Sequence, residues 1–472
     1  MRSKNSWAAA LLLVCALTAS GEELRSLPEP VIRALNAGKI APDRFSVFAQ
    51  EVGRESPALA FNADVPRNPA STMKLVTTFV GLEVLGPTYV WKTQAFAGRP
   101  PSGGVLDGDL YLKGFGDPFL VIERFWLMLR ELRLQGVRDI RGDLVVDNTF
   151  FDVGPQDPGD FDGRPFNPYN LVPDALLVNF QAVNFIFRPD PVHGRVEVLA
   201  DPLPANMRVR NELQLVDGPC GGARNRILFT TGTPPNDESV TFTGRFSRTC
   251  SEYRVARSFL RAPAYAYGLF KTLWQDSGGN LAGHLRVAPV PAGASLIVTS
   301  ESPPLADVIR SINKFSNNVM ARHVLLTLGA ERYGAPGTVD KGDRAVEEFL
   351  NRRGIVVPEL RVDNGAGLSR ASRVSARGLV KILLAAEQSP YRPEFISSLG
   401  LAGLDGTVRR RFRDEDFAGH MHLKTGTLSG VHAMAGYVDT VSGRRFAVAI
   451  IQNGAGWPDE SQAAVLRWIY RQ

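Results

Sequence analysis

Three short polar motifs, set far apart along the chain, constrain its fold more than any other feature. Ser71-Thr72-Met73-Lys74 gives S-x-x-K at the head of an apolar run. Ser316-Asn317-Asn318 gives S-x-N, and Lys424-Thr425-Gly426 gives K-T-G. About half of the 472 residues lie between the first two. The chain has only ten lysines, and Lys74 and Lys424 are two of them. Singly, each motif has a plain structural reading. Ser71 could cap a helix beside a surface Lys74, Ser316 and Asn317 could be caps, and Lys424 could be an edge lysine before a turn. If the three meet, the start and end of the chain share one domain and the middle is an insertion.

The periodicity supports that division. Strand-like runs at 45–52 and 58–62 precede a helical pattern over 74–85, with Leu75, Val76, Phe79, Val80, Leu82 and Leu85 on its buried side and Gly86-Pro87 as its stop. From about residue 90 to 291 the texture changes. Short strand-like pieces at 108–114, 142–147, 196–200, 227–231 and 239–244 alternate with Gly-, Pro- and Asp-rich turns, which predicts inserted, mostly β material. Helical patterns return at 305–314, 317–328, 340–353 and 376–387. Strands follow at 420–428, 433–439 and 445–453, then a closing helix at 460–470. The expectation is an α/β unit with an antiparallel sheet. A 44% apolar and 22% charged composition is that of a folded chain with substantial cores.

The net charge of +6 is spread along the chain. Its densest cluster, Arg409-Arg410-Arg411, is followed by Asp414, Glu415 and Asp416 and reads as solvated surface, not a nucleic-acid site. A mild positive charge favours an anionic polymer as substrate. Arg2 and Lys4 precede an apolar stretch over 7–17, too short to span a bilayer, and small residues follow at 18–21. This predicts a cleaved export leader over residues 1–21, with an uncleaved anchor as the alternative. Cys15 leaves with the leader. Cys220 and Cys250 remain, and in an exported chain they predict one disulfide, with two free thiols as the alternative.

The motif residues suit acyl transfer. A serine hydroxyl needs a base to take its proton, and residues at i and i+3 share a helix face, so Ser71 and Lys74 can touch. A closed pocket and a second cation, Lys424, would keep Lys74 neutral enough to act. Ser316 would relay a proton to the leaving amine, and the Asn318 amide would bind the substrate backbone. Lys424 and Thr425 would hold a terminal carboxylate. Gly426 would let a substrate strand lie close, and the N–H groups of Ser71 and Thr427 would form an oxyanion hole. A second S-x-x-K, Ser311-Ile312-Asn313-Lys314, competes with the first but has no separate S-x-N element far enough away to form an opposing wall. There is no G-x-S-x-G elbow, H-E-x-x-H pair or P-loop. His420 and His422 could bind a metal but read as exposed strand residues. No cofactor is expected.

The chain resembles the class C low-molecular-mass penicillin-binding proteins, the D-alanyl-D-alanine carboxypeptidase/endopeptidase family. The resemblance rests on Pro66-Arg67-Asn68-Pro69-Ala70-Ser71-Thr72-Met73-Lys74, Gly142-Asp143-Leu144-Val145-Val146-Asp147 and Ala175-Leu176-Leu177-Val178-Asn179-Phe180. It continues through Asn313-Lys314-Phe315-Ser316-Asn317-Asn318, Gly367-Leu368-Ser369-Arg370, Asp405-Gly406-Thr407 and Lys424-Thr425-Gly426-Thr427-Leu428-Ser429-Gly430. It implies a penicillin-recognising domain interrupted by two β-rich domains. The expected bounds are 22–92 with 293–472, then 93–155 with 263–292, and 156–262 outermost. It implies a periplasmic enzyme without a stable membrane anchor that cleaves peptidoglycan stem peptides through an acyl-enzyme and is acylated by β-lactams. It also assigns Asp147 and Arg370 to the amine and carboxylate of a diaminopimelate side chain. One departure is Asp363-Asn364-Gly365-Ala366-Gly367, a residue longer than the family's Asp-Gly-Ser-Gly. A β-lactamase, or a non-catalytic wall-binding protein of the same fold, is the alternative.

Overall fold

Strands from the two ends of the chain form one sheet in the computed structural model, which describes residues 27–220, 227–233 and 237–472. The expected leader lies outside these residues. Phe45–Glu51 and Pro57–Phe61 join Arg445–Asn453, Val431–Asp439, Met421–Leu428 and Gly400–Leu401 in a six-stranded antiparallel sheet. The joint is Phe45–Glu51 against Arg445–Asn453, with Ala49 opposite Val448. Strand side chains alternate faces. Phe446, Val448 and Ile450 pack with Val31, Leu35, Val465 and Ile469 of helices Glu29–Ala37 and Pro458–Tyr470. Ala447, Ala449 and Ile451 pack with helices Lys74–Leu85, Leu305–Phe315, Asn318–Tyr333 and Ala376–Glu387. Helices on both faces explain why the last strand reads as an unbroken apolar run.

Among the described residues, the middle of the chain builds four further sheets. The largest orders Leu285–Val287, Leu144–Asp147, Leu110–Gly114, Lys92–Ala97 and Ser295–Glu301. Two helices, Ile122–Leu134 and Ala262–Asp276, pack on it through Phe125, Leu129, Tyr265 and Phe270. The β-rich expectation did not include them. Ile122–Leu134 alternates charged and large apolar residues with Trp126 and Leu127 exposed, and Ala262–Asp276 is apolar and aromatic enough to resemble a buried strand. The outer part consists of two three-stranded sheets, one of Val183–Asp190, Arg195–Asp201 and Tyr253–Arg257, the other of Arg208–Val216, Ile227–Thr231 and Ser239–Ser247. One apolar cluster runs from Ala95 to Val298 through all of this material, separate from the two clusters around the six-stranded sheet.

The insertion docks on helix Asn318–Tyr333. His323 Nδ1 lies 3.0 Å from the Gly116 carbonyl, and Arg322 donates to the Leu171 carbonyl at 2.9 Å. Burial of the His323 ring lowers its pKa to about 4, so at neutral pH it is a neutral hydrogen-bonding wedge. Gly337 and Phe150 add a backbone hydrogen bond of 2.8 Å. These contacts bring residues after 150 toward the K-T-G strand.

Cys220 and Cys250 form the expected disulfide across a separation of 30 residues. In the chain-entropy picture a loop of that length contributes roughly 3–4 kcal/mol. Quantitative thiol labelling of denatured, unreduced protein should leave both cysteines unlabelled. Labelling at either one would contradict the pairing.

Candidate active site

Ser71 sits in a single tight turn, Ala70–Met73, that runs into helix Lys74–Leu85. The turn is held from outside. Asn68 Oδ1 accepts from the Ala70 N–H at 2.9 Å, and its Nδ2 donates to the Ser369 carbonyl at 2.7 Å. Asn453 pairs with the Asn68 backbone in both directions. Ala70 takes φ +46°, a left-handed value that a non-glycine residue holds only under such constraint. The helix has no side-chain cap, so Ser71 is not an N-cap.

Lys74 is fully buried. Its Nζ lies 2.7 Å from Asn318 Oδ1, 2.6 Å from the Ala366 carbonyl and 3.1 Å from Ser71 Oγ. All three oxygens can accept from Nζ while it is protonated, and after it loses a proton the set still serves the neutral amine. In that form two N–H bonds go to the two carbonyl-type oxygens, and the lone pair is left facing the serine hydroxyl. Burial, and after it the charge of Lys424, push the Lys74 pKa well below its ordinary 10.5. Lys424 is also fully buried, and burial brings it down to about 7. It donates to Ser316 Oγ at 3.0 Å and to the Thr425 carbonyl at 2.6 Å. Among the described residues neither lysine pairs with a carboxylate.

Ser316 does not open a helix, as its sequence position suggests. It lies between Leu305–Phe315 and Asn318–Tyr333 at φ +59°, while Asn317 caps the second helix by accepting from the Met320 N–H at 3.1 Å. That left-handed kink aims its hydroxyl at Lys424. The competing Lys314 is engaged elsewhere, donating to Asp405 Oδ2 at 2.5 Å and to the Leu399 carbonyl at 2.9 Å.

Gly426 also answers a constraint within the protein itself. A Cβ there would fall 2.6 Å from the Pro69 carbonyl and 2.9 Å from the Ser71 nitrogen. The close neighbour is the nucleophile's own turn. Gly367, at φ +71°, is tighter still: its Cβ would meet the Ala70 carbonyl oxygen at 1.8 Å. The two glycines clamp the Ser71 turn from opposite sides. Beyond Gly426 the strand edge is open, because Gly400–Leu401 pairs only with Leu423 and His422. Thr427 on this edge is exposed. An extended peptide can add there as a further strand.

A cleft of about 430 Å³ is lined by Ser71, Ser316, Asn318, Arg370 and Thr427 from the six-stranded unit, and by Phe161, Asp162, Arg164 and Tyr169 from the insertion. Asn318 Nδ2 donates to the Tyr169 carbonyl at 3.0 Å. Arg370 donates to the Ser429 carbonyl at 3.0 Å and lies over the Phe161 ring at 5.1 Å. Asp147 is not brought here. It is fully buried beneath the inserted sheet, with Lys113 Nζ at 2.9 Å and hydrogen bonds from Thr149 and the Val290 N–H. Asp162 is the aspartate at the cleft, and burial is outweighed by bonds from Tyr169 and Asn170 that keep its carboxyl below the usual range. Sequence reasoning also missed the Ala366 carbonyl. Its signal was present in Gly365 and Gly367, which flank it. His422 is half-buried in its strand and His420 is exposed before it; no metal-holding cluster occurs among the described residues.

The profile of the D-Ala-D-Ala carboxypeptidase 3 (S13) family matches residues 30–469. The D-alanyl-D-alanine carboxypeptidase of Actinomadura sp. (strain R39) is 32% identical over 83% of this chain and 74% of its own length. D-alanyl-D-alanine carboxypeptidase DacB of Haemophilus influenzae is 23% identical over 86% and 85%. Crystal structures of penicillin-binding protein 4 from H. influenzae superpose with a TM-score of 0.80 at 21% identity, covering 94% of this chain and 99% of that one. In complex with a β-lactam the values are 0.74, 21%, 93% and 98%.

The site carries a pH signature. A base acts only after losing its proton, so acylation by a β-lactam should rise with pH through the depressed Lys74 pKa. Lys424→Met keeps the apolar bulk but removes the cation that helps to depress it. The acid limb of the acylation rate, measured between about pH 5 and 9, should move to higher pH. An unmoved limb would show that Lys424 does not act on Lys74 through its charge.

Proposed function

The chain belongs to the D-Ala-D-Ala carboxypeptidase 3 (S13) family, and from that premise we propose how its residues divide the work of a serine-type peptidoglycan carboxypeptidase and endopeptidase. The observation that carries the reading is the buried, carboxylate-free Lys74 amine 3.1 Å from Ser71 Oγ. Lys74 takes the Ser71 proton as Oγ attacks the carbonyl of the penultimate D-alanine. The backbone N–H groups of Ser71 and Thr427 receive the oxyanion. Ser316, bonded to Lys424, relays the proton from Lys74 to the departing amine, which leaves an acyl ester on Ser71 and returns Lys74 to the neutral amine. Water, deprotonated by the same base, then hydrolyses the ester. The Asn318 amide has two N–H donors. One is held by Tyr169, and the second is available to the substrate backbone. Lys424 and Thr425 hold the carboxylate beside the scissile bond, and Gly426 keeps the Ser71 turn against the strand that the substrate joins.

Penicillins acylate the same serine in this reading, supported by the β-lactam complex of the Haemophilus relative. In this reading the leader directs export to the periplasm and is then cleaved. The residues 22–92 and 293–472 form the catalytic domain, with 93–155 and 263–292 as one inserted domain and 156–262 as another; the strand Ser295–Glu301 goes with the inserted sheet it pairs in. Labelled penicillin should attach to Ser71 as a persistent adduct, and Ser71→Ala should abolish both labelling and release of D-alanine from purified muropeptides, read by mass. A label mapped to Ser311, or rapid turnover of the penicillin, would contradict the assignment.

Recognition of the stem peptide's third residue falls to Arg370 and Asp162. Diaminopimelate ends in an amine and a carboxylate on one carbon. Arg370 can grip the carboxylate, and the ionised Asp162 can pair with the amine. Such contacts lie away from the scissile bond and orient it. Arg370→Ala should lower kcat/KM on diaminopimelate peptides about 10–100-fold, corresponding to roughly 1.4–2.8 kcal/mol, and leave penicillin acylation nearly unchanged. Equal losses on both would make Arg370 a structural residue.

A further inference from the structure

Two sequence features have no part in the chemistry above: the second S-x-x-K segment, and Asp405-Gly406-Thr407. They meet in the structure. Lys314 closes on Asp405 Oδ2 from the end of helix Leu305–Phe315. The other carboxylate oxygen, Oδ1, accepts from the Leu401 N–H at 2.7 Å. Asp405 is thereby fixed from two sides just before the single turn Gly406–Val408. Gly406 has φ +61°, and a Cβ on it would stand 3.0 Å from the Lys314 carbonyl and 3.2 Å from Gly400 Cα. The turn is pressed against the helix end with no room for a larger residue.

The turn delivers Thr407 to the K-T-G strand. Its Oγ1 lies 2.7 Å from Thr425 Oγ1. Each hydroxyl has one proton and two acceptor lone pairs, so only one of the two can be the donor in this bond. If Thr425 donates to Thr407, its proton is no longer available to a substrate. If Thr407 donates, Thr425 keeps its proton for an anion, and the donated bond makes it a stronger donor. A carboxylate in the cleft selects the second arrangement.

We propose that Thr407 is a positioning residue for cleavage of the D-Ala-D-Ala bond: its hydroxyl donates to Thr425, directing the Thr425 proton at the substrate carboxylate, and the Lys314–Asp405 pair holds it there. This rests on the carboxylate-binding role given to Thr425 above. Thr407 acts through Thr425, so its effect is confined to substrates that present an anion at that point.

The test compares a D-Ala-D-Ala peptide bearing a free C-terminal acid with the same peptide as its C-terminal amide. Thr407→Val keeps the shape and removes the hydroxyl. It should raise KM for the acid about 5-fold, the size of one lost hydrogen bond between neutral groups, with a smaller effect on kcat. Hydrolysis of the amide should change less than about 2-fold, and Thr407→Ser should restore the acid. Equal losses on acid and amide, an unmoved KM for the acid, or failure of serine to restore it would each overturn the proposal. Wild-type protein that left the acid uncleaved would overturn the carboxypeptidase reading itself. Active wild type with an unchanged valine variant would overturn only the role of Thr407.

Discussion

Two lysine amines, Lys74 and Lys424, are buried close enough for the charge of one to act on the other, and among the described residues neither has a carboxylate to share that charge. Taking a charged amine out of water is costly, and a group so placed gives up its proton. Most of the surrounding structure can be understood as what keeps that arrangement from relaxing. Lys74 is bounded by Asn318 on one helix, Ala366 on a strained loop and Ser71 on its own turn. Lys424 is fixed by Ser316 and by its own strand. A solvated or salt-bridged lysine in place of Lys74 would be a cation at neutral pH and could not take a proton.

The sequence made the core of this legible and left its walls obscure. The three motifs come together through Lys74, Asn318, Ser316 and Lys424, and the pairing of Phe45–Glu51 with Arg445–Asn453 realises the expected union of the chain's two ends. Helix Ala376–Glu387 and strand Arg445–Asn453 have the bounds their periodicity predicts, because amphipathic or doubly buried segments carry their environment in their pattern. Asp147 was misplaced because a motif match says nothing about which face of a sheet an aspartate ends on. Asp162 was invisible because its position depends on how the insertion drapes over helix Asn318–Tyr333, a matter of tertiary contact alone. Gly426 was read as a demand for space, and the Ser71 turn makes a demand of its own there.

The insertion is therefore more than a decoration on the catalytic unit. Its own continuous apolar cluster packs its sheets and helices together, and His323 and Arg322 tie it to the helix that carries Asn318. That coupling sets Phe161, Asp162 and Tyr169 as one wall of the cleft, with Arg370 and the open strand edge as the other. In the proposed reading, catalysis and selection sit on different parts of the chain. The left-handed link that carries Ser316 stands between the helix that docks the insertion and helix Leu305–Phe315, whose Lys314 fixes the turn of Thr407.

The claim on which the rest depends is that Lys74 is a neutral amine in the resting enzyme. Nitrogen-15 NMR of protein labelled at the lysine side chains tests it directly, with the Lys74 resonance assigned by its loss in Lys74→Met. Ten lysines make the spectrum tractable. The account predicts that the Lys74 amine has the shift of a neutral group at mildly alkaline pH and titrates well below the ordinary 10.5. An ammonium resonance at Lys74 that persists to that ordinary value would contradict it.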